Sequence, residues 1–248
     1  NEKILLTECL SKTSKVIWIE HERVGRWLQK NPWRPRYLRQ SRFADVITVS
    51  ERLAQQFIAL GIRHVHPIHN GTKIPAYPGF HHINNRLNIG FVGRLTAEKG
   101  LDLAIKAIFR LILEIPHIRL EIVGDGRERQ TLDNLVDQLN LREHVHFVGS
   151  LSPENITKHY PHWDVFLAPS REFDTFGLTV AEAMANGLPA IVSRSFGISD
   201  ILTDDREAVL IDPTEDAIVE AIKNIHPNLE KLSRAGYAFA QKHLSIEK

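Results

Sequence analysis

Apolar residues recur along this chain of 248 residues in two alternating patterns. Short continuous apolar runs, typical of strands buried on both faces, alternate with segments in which apolar residues return every three or four positions, as in helices. From residue 87 onward the pattern predicts, in order, strand 87–92, helix 98–115, strand 118–123, helix 127–140, strand 145–148, a short helix near 153–159, strand 164–168, helix 178–186, strands 189–192 and 207–211, and helices 215–225 and 229–242. This alternation predicts an α/β fold with a parallel, doubly wound sheet.

The beginning of the chain shows less of this pattern. One helix is predicted over 53–60, and three short strands are predicted at 16–20, 44–49 and 64–69. Three strands are too few to close a domain of this kind, so residues 1–70 are expected to form the C-terminal half of an N-terminal domain. Residues 71–86 are rich in Gly, Pro, His and Asn and predict a linker, which leaves 87–248 as a complete second domain.

The composition is that of an ordinary globular protein, with 43% hydrophobic and 25% charged residues. A single cysteine, Cys9, excludes a disulfide framework and a cysteine-rich zinc site and is compatible with a reducing compartment. The sequence contains neither a secretory signal pattern nor a run of about 18 apolar residues, so we expect a cytoplasmic protein. The one methionine, Met184, lies far from the start, and we expect a truncated or processed N-terminus.

Charge is distributed unevenly along the chain. Residues 1–73 hold 13 Lys and Arg against 6 Asp and Glu, a net of +7, whereas the whole chain carries only +1. Between residues 23 and 42 the basic residues alternate with Trp27, Trp33 and Tyr37. This pattern is typical of a solvated basic face with aromatic packing, and peripheral contact with an anionic membrane at its inner face, or with an anionic acceptor, is the alternative. No nucleic-acid-reading motif accompanies it, so no nucleic-acid partner is expected.

Residues 172–189 carry the most informative motif. Asp174 and Glu182 bracket a Phe-Gly-Leu-Thr turn (176–179) that follows a predicted buried strand and runs into a predicted amphipathic helix. The N-terminus of a helix offers unpaired N–H groups and a positive dipole, which suit a diphosphate. Ionised carboxylates accept several hydrogen bonds and suit sugar hydroxyls. The motif therefore indicates a nucleotide-sugar site.

A second motif follows the predicted strand 87–92. It reads Gly-Arg-Leu-Thr-Ala-Glu-Lys-Gly, from Gly93 to Gly100, and places two cations, Arg94 and Lys99, at a strand-to-helix turn. Two cations there can neutralise a departing nucleotide diphosphate, and the two glycines allow the backbone to approach it closely. Ordinary surface cations are the alternative, although a helix N-terminus disfavours them.

Together the two motifs resemble the signatures of the retaining glycosyltransferases of family 4. Residues 44–50 and the pair Asn70-Gly71 resemble the strand and the interdomain hinge of that family, so the resemblance extends over about residues 15–245. It implies the GT-B architecture of two Rossmann-like domains, of which the N-terminal one is only partly present. It also implies transfer of a sugar, a hexose by expectation, from a nucleotide diphosphate sugar to a saccharide or lipid-linked acceptor, without a metal or a cofactor.

The resemblance implies a role for each motif residue. Arg94 and Lys99 would contact the donor diphosphate as it departs, and Glu182 would bind the ribose hydroxyls. Backbone groups of five residues would contact the sugar and the phosphates: Gly93, Phe176, Gly177, Leu178 and Thr179. Asp174 departs from the commoner glutamate of the family and is one methylene shorter, which leaves the donor sugar open, and Glu172 is its alternative.

Histidines supply a further candidate. His21 directly follows the predicted strand 16–20 and resembles the family's histidine near the reacting sugar carbon, with a structural histidine as the alternative. His64, His66 and His69 are also close in sequence, but no nearby carboxylate or cysteine completes a metal site. No metal is therefore expected.

Two other classes of protein can be weighed against these residues. A nicotinamide-dependent oxidoreductase needs the pattern G-x-G-x-x-G, which Gly124 and Gly126 begin, but Arg129 occupies the third glycine position. A non-catalytic nucleotide-sugar-binding protein is harder to exclude. Its mark would be the loss of Arg94, Lys99 or Glu182, and all three are present.

Overall fold

The described residues form two parallel sheets, and each sheet lies in a unit of its own. The computed structural model describes residues 2–23, 31–75 and 86–247. The first unit comprises Asn1–Asn70 together with Phe173–Phe176, and the second comprises Gly71–Glu172 with Gly177–Lys248. Most of the predicted linker, residues 76–85, lies outside the described residues.

The first unit contains a three-stranded parallel sheet with the strand order β1-β2-β3. Its elements in chain order are α1 (Glu2–Leu10), β1 (Ile17–Glu20), α2 (Arg34–Gln40), β2 (Asp45–Thr48), α3 (Glu51–Ala59) and β3 (Val65–Pro67). The apolar pattern predicts the three strands and α3 but neither α1 nor α2. In α2 three of the seven residues are arginines, so no apolar stripe marks the helix, which begins with Pro35 in its first turn and buries Tyr37.

Helix α3 begins two residues before its predicted start because a side chain caps it. The hydroxyl of Ser50 accepts a hydrogen bond from the backbone N–H of Leu53 at 3.2 Å, which satisfies one of the free donors of the first turn. Leu53, Ala54 and Phe57 then form the buried face of the helix. The cap fixes where the chain turns from β2 into α3.

The second unit contains a six-stranded parallel sheet. Its elements in chain order are β4 (Leu87–Val92), α4 (Leu101–Leu111), β5 (Ile118–Val123), α5 (Arg129–Gln138), β6 (Val145–Gly149), α6 (Pro153–Ile156), β7 (Val165–Ala168), α7 (Leu178–Ala185), β8 (Ala190–Ser193), β9 (Val209–Ile211), α8 (Glu215–Ile225) and α9 (Leu229–Phe239). The strand order is β6-β5-β4-β7-β8-β9, and every neighbouring pair is parallel. The doubly wound sheet that the sequence predicts is therefore confirmed.

The strand order reverses between β4 and β7. From β4 the chain builds outward to β6, then returns to the other side of β4 and builds outward to β9. Connections that leave neighbouring strands in opposite directions open a crevice beyond the carboxyl ends of those strands, where α/β proteins bind their ligands. In this unit the crevice lies beyond Val92 and Ala168.

Helix α7 differs from its prediction as an amphipathic helix. The main apolar core joins one face of the sheet to α4, α5 and α8, whereas α7 packs against β7, β8 and α9. Five of its eight residues are buried: Val180, Ala181, Ala183, Met184 and Ala185. A helix enclosed on most sides carries apolar residues around its whole circumference, so the expected polar face is reduced to a few positions that include Glu182.

Several other helix boundaries differ from their predictions by a few residues, and at two of them the structure shows what replaces the helix. Helix α4 begins at Leu101 rather than 98, because Ala97–Lys99 form a 3-10 turn that ends at Gly100. Helix α9 ends at Phe239, and a π-helical turn, Ala240–Leu244, continues the chain. No helix in the described ranges is long and apolar enough to span a membrane.

Candidate functional site

The motif 93–100 and the part of the motif 172–189 that begins at Gly177 lie at the point where the strand order reverses. The loop 93–100 follows β4, and the loop 169–177 follows β7 and leads into α7. Because β4 and β7 are neighbours, their carboxyl ends bring the two loops together. Seven of the predicted site residues thus lie in the second unit at one end of its sheet: Gly93, Arg94, Lys99, Gly177, Leu178, Thr179 and Glu182.

The two loops are bonded directly to each other. The carbonyl of Glu98 accepts hydrogen bonds from the backbone N–H of Arg171 at 2.7 Å and from the hydroxyl of Ser170 at 2.9 Å. Gly100 has a φ of +69°, and a Cβ atom placed on it would lie 2.2 Å from the carbonyl oxygen of Pro169. Only glycine permits both the left-handed backbone and this close approach. The loop that carries Lys99 is thereby fixed to the end of β7.

An ion pair adds a second bond between the loops. The guanidinium of Arg171 donates to both carboxylate oxygens of Asp102, at 2.5 and 2.6 Å, and to the carbonyl of Ala97 at 3.2 Å. Burial would raise the pKa of Asp102, but these hydrogen bonds outweigh it and keep that pKa below its usual range. Asp102 therefore stays ionised and keeps Arg171 in place beside the loop 97–100.

The end of β8 supports the loop after β7. The hydroxyl groups of Ser193 and Ser195 both donate hydrogen bonds to the carbonyl of Ser170, at 2.7 and 2.6 Å. Sequence reasoning missed these serines, Arg171 and Asp102. Two hydroxyl residues directly after the predicted strand 189–192 were the signal that could have indicated Ser193 and Ser195. Nothing in the sequence indicates that Arg171 pairs with Asp102, 69 positions away.

Gly124 and Asp125 hold the loop 93–100 from its other side. A Cβ atom on Gly124 would lie 1.9 Å from the carbonyl oxygen of Gly93, and the backbone N–H of Leu95 donates to the carbonyl of Asp125 at 2.9 Å. The glycine that begins the partial G-x-G-x-x-G pattern is thus explained by packing of one loop on another. Its presence gives no independent support for a nicotinamide site.

The two cations of the motif lie in different surroundings. Arg94 is exposed. A hydrogen bond from the backbone N–H of Glu98 lowers the pKa of the Glu98 carboxyl group, and the positive charges of Arg127 and Arg94 lower it further. Lys99 is half-buried, and its ammonium lies 5.5 Å from the centre of the Phe196 ring, which is within cation–π range. Phe196 also packs against Gly177, because a Cβ atom there would lie 2.7 Å from the ring. Phe196 thus links Lys99 to the start of α7.

Helix α7 presents its N-terminus at the same end of the sheet. Gly177 is the N-cap residue, and the first turn contains no acidic side chain to neutralise the helix dipole. Leu178 is 43% exposed, and Thr179 is half-buried. Their backbone N–H groups belong to the first turn, where an α-helix has no acceptors of its own. These donors lie at the same end of the sheet as Arg94 and Lys99, an arrangement of positive groups that suits an anion.

The carboxylate of Glu182 lies one turn further along α7. It is half-buried and accepts a hydrogen bond from the hydroxyl of Tyr160, 3.2 Å from Oε2. Burial raises the pKa of Glu182, and the hydrogen bond from Tyr160 opposes that rise. Burial and the neighbouring carboxylate in turn raise the pKa of the Tyr160 hydroxyl, which stays protonated and able to donate.

Three other predicted residues belong to the first unit. Asp174 and Phe176 lie in the segment Phe173–Phe176, where Asp174 Oδ1 accepts from the backbone N–H of Phe176 at 3.2 Å. Phe176 is buried and stacks on His69 with 5.9 Å between ring centres. His21 directly follows β1, as predicted, and is exposed. The structure thus assigns these residues to a different unit from Lys99 and Glu182.

His66 has a carboxylate beside it, although the pair completes no metal site among the described residues. Asp45 supplies a carboxylate beside His66, with 3.3 Å between Oδ1 and Nε2, because β2 and β3 are paired there. The same carboxylate also binds Lys15 at 3.0 Å. Within the described part of the chain, no group of three or more His, Cys, Asp or Glu side chains is arranged to hold a metal ion.

A crevice at the reversal point of a parallel sheet, with two cations and a helix N-terminus at its edge, is the kind of site at which α/β proteins bind phosphorylated ligands. Residues 78–242 match the family model described as glycosyl transferases group 1, and the chain belongs to that family. The family expected from the two sequence motifs is thereby confirmed at this level.

Two curated relatives illustrate the match. An uncharacterized glycosyltransferase of Methanocaldococcus jannaschii is 36% identical over 140 residues, which is 53% of this chain and 35% of the relative. The GDP-mannose-dependent alpha-(1-6)-phosphatidylinositol monomannoside mannosyltransferase of Mycolicibacterium smegmatis is 30% identical over 154 residues, 59% of this chain and 40% of the relative. The matched part therefore spans less than half the length of either protein.

Solved structures extend the likeness to nearly the whole chain. HepE of Anabaena in complex with UDP matches with a TM-score of 0.86 at 19% identity, over 98% of this chain and 72% of that one. Sucrose-phosphate synthase of Thermosynechococcus elongatus matches with a TM-score of 0.77 at 22% identity, over 98% of this chain and 68% of that one. At such identities the likeness shows the fold, and the predicted GT-B fold is confirmed.

The Arg171–Asp102 pair allows a test of how the loops are held. We expect Arg171→Met to lower the free energy of unfolding by about 1 kcal/mol at pH 7, a modest value because both side chains are about one-third exposed. The pKa of Asp102 is lowered in the folded state, so the pair stabilises the protein above the ordinary Asp pKa of about 3.9. The difference between variant and wild type should therefore shrink as the pH falls below that value in urea unfolding experiments.

Arg234→Met is the matched control, because Arg234 pairs with Glu230 at 2.7 Å on the exposed surface of α9. It should change stability by less than Arg171→Met does. Equal losses in the two variants at pH 7 would contradict a structural role for the Arg171 pair.

Proposed function

We propose that this chain is the nucleotide-sugar-binding part of a retaining glycosyltransferase, together with a portion of its acceptor side. The enzyme would transfer a hexose from a nucleotide diphosphate sugar to a saccharide or lipid-linked acceptor. The observation that carries the proposal is the meeting of Arg94, Lys99 and the N-terminus of α7 at the reversal point of the second unit's sheet. The named ligands of HepE, which include UDP-glucose, and the GDP-mannose dependence of the mycobacterial relative support a donor of this class.

The proposed chemistry follows from where charge develops. As the bond between the anomeric carbon and the diphosphate breaks, its electron pair moves onto the departing phosphate oxygen. An acceptor hydroxyl oxygen bonds to the anomeric carbon in its place, and the proton of that hydroxyl passes to the departing phosphate. Lys99, Arg94 and the N–H groups of the first turn of α7 would stabilise this growing charge, because they are in place before the reaction begins. Two cations and a helix N-terminus can fill the role that a divalent metal ion fills elsewhere, so we propose a metal-independent transfer.

The two acids would divide the recognition of the donor. In the proposal Glu182 binds the ribose hydroxyls, since an ionised carboxylate can accept a hydrogen bond from each. Asp174 would contact the donor sugar and set the preference among hexoses, because its side chain is one methylene shorter than glutamate. His21 would hydrogen-bond the sugar near the reacting carbon or orient the attacking acceptor.

A second proposal concerns the basic segment 23–42, of which residues 24–30 lie outside the described part. Trp33 is 53% exposed, and the guanidinium of Arg36 lies 5.9 Å from the centre of its ring. An exposed indole beside arginines suits the headgroup layer of an anionic membrane. We propose that this segment brings the enzyme to a membrane surface that holds a lipid-linked acceptor.

Nucleotide binding tests the donor class. In calorimetric titrations of the full-length protein with UDP, GDP and ADP, we expect one nucleotide to bind at least about tenfold more tightly than the others, a difference of about 1.4 kcal/mol. Addition of EDTA should leave its affinity unchanged, because cations of the protein hold the diphosphate. Binding of NAD without binding of any of the three nucleotides would contradict the proposal and favour an oxidoreductase.

Lys99→Ala tests the proposed catalytic charge. We expect turnover by the full-length enzyme to fall by about two to three orders of magnitude, a loss of roughly 2.7–4 kcal/mol of transition-state stabilisation, while the unfolding transition stays in place. Lys106→Ala is the control, because Lys106 lies on α4 with its side chain 46% exposed. Proton NMR of the wild-type product should show the anomeric configuration of the donor. Wild-type turnover in Lys99→Ala, or an inverted product, would contradict the mechanism.

Vesicle sedimentation tests the membrane proposal. We expect the full-length protein to bind vesicles that contain phosphatidylglycerol and to remain in solution with pure phosphatidylcholine, because the attraction requires anionic headgroups. The double variant Trp33→Ala/Arg36→Ala should bind the anionic vesicles more weakly, and Arg234→Ala should bind them as wild type does. Binding that does not depend on the lipid charge, or equal binding by the wild type and the double variant, would contradict the proposal and indicate a solvated basic face.

A further inference from the structure

Tyr160 occupies an unusual position for a buried tyrosine. It begins the 3-10 turn Tyr160–His162, between α6 and β7, and its side chain is 1% exposed. Its hydroxyl is directed at α7, where it donates to Oε2 of Glu182 at 3.2 Å. A residue outside both sequence motifs therefore contacts the carboxylate proposed to bind the ribose.

Trp163 holds Tyr160 in this position. The two rings meet edge to face, with 5.5 Å between their centres and 89° between their planes. The indole of Trp163 is itself packed on β4, since a Cβ atom on Gly90 would lie 2.0 Å from it. Its Nε1–H donates to Oε1 of Glu121 on β5 at 3.1 Å. The ring of Tyr160 thus rests on a side chain that is fixed to two strands of the sheet.

His159 adds a third support to the same turn. Its Nδ1 lies 2.7 Å from the Glu121 oxygen that also accepts from Trp163. Glu121 therefore binds the two residues that flank the 3-10 turn Tyr160–His162, His159 before it and Trp163 after it. A turn anchored at both ends leaves the tyrosine hydroxyl little freedom to leave Glu182.

We propose that Tyr160 is a positioning residue that holds the Glu182 carboxylate in the orientation required to bind the ribose of the donor nucleotide. The proposal rests on the role of Glu182 under the proposed function. Tyr160 acts through Glu182, by occupying one lone pair of Oε2 and leaving Oε1 and the remaining lone pairs for the two ribose hydroxyls.

The hydrogen bond has a second effect, on the charge of Glu182. Half-burial of this carboxyl group favours its protonated form, and a protonated carboxyl loses part of its capacity to accept from the ribose. The hydroxyl of Tyr160 is the titratable group that faces this carboxylate among the described residues, and it stabilises the ionised form. Tyr160 would therefore fix both the orientation and the charge state of Glu182.

Tyr160→Phe removes the hydroxyl and keeps the ring on Trp163. We expect the affinity of the full-length protein for UDP or GDP, whichever binds the wild type, to fall by roughly three- to tenfold at pH 7, the usual effect of one lost hydrogen bond. Without that bond the pKa of Glu182 rises further. The loss of affinity on acidification should therefore begin at a higher pH in the variant, in calorimetric titrations between pH 5 and 8.

Two further variants separate this effect from others. In Glu182→Gln the pH dependence of binding still includes protonation of the nucleotide phosphate, but the side chain at position 182 cannot change its charge. Comparison with this variant therefore isolates the contribution of the Glu182 carboxylate. In the double variant Tyr160→Phe/Glu182→Gln, the tyrosine change should cause no additional shift with pH. Tyr37→Phe is the matched control, because Tyr37 is also buried and donates to a glutamate, Glu20, at 3.1 Å in the first unit.

The outcomes distinguish a failure of the role proposed for Tyr160 from a failure of the role proposed for Glu182. A Tyr160→Phe protein that loses affinity equally at every pH, and by the same factor in the Glu182→Gln background, would show a merely structural tyrosine and overturn the proposal. Wild-type affinity and pH dependence in Tyr160→Phe would overturn it as well. Wild-type binding by Glu182→Gln would instead refute the ribose role of Glu182, and so the proposed function of that residue.

Discussion

The site depends on the pairing of β4 with β7, two strands that lie more than 70 residues apart in the sequence. Their register is short, Ile89 with Val165 and Gly90 with Phe166, and it is extended by Asp164, whose carboxylate accepts from the backbone N–H of Asn88 at 2.7 Å. This pairing creates the reversal of strand order, and the reversal creates the crevice. The loops on either side of it add their own bonds, but none of these could form if the two strands were separated.

Much of the fold can be predicted from the apolar pattern because buried parallel strands give an unambiguous signal. The bounds of β4 and β5 are predicted to the residue. The pattern does not predict α1 or α2, where no apolar stripe is sustained, and it places the start of α4 too early. There the helix can begin only after Gly100, whose left-handed backbone ends the preceding 3-10 turn and leaves no room for a Cβ atom beside the carbonyl of Pro169.

The candidate site also contains some residues that the sequence predicts and others that it does not. Arg94, Lys99 and Glu182 can be chosen from the sequence because each lies in a motif whose spacing relates charge to a helix N-terminus. The supporting residues cannot be chosen so. Arg171 pairs with Asp102, 69 positions away in the sequence, and Tyr160 donates to Glu182, 22 positions away. Each pairing is therefore a product of the tertiary fold. Asp174 was predicted with the motif 172–189 and His21 from its position after a predicted strand, yet both belong to the other unit.

The position of Trp163 has an optical consequence. It is the one tryptophan in the sequence of the second unit, since Trp18, Trp27 and Trp33 all precede residue 71. Its indole is buried against β4, is bonded to Glu121 and touches the ring of Tyr160. The emission of a tryptophan depends on the polarity and rigidity of its surroundings. The second unit therefore contains its own fluorescent reporter, separated by a single tyrosine ring from the carboxylate at the edge of the crevice.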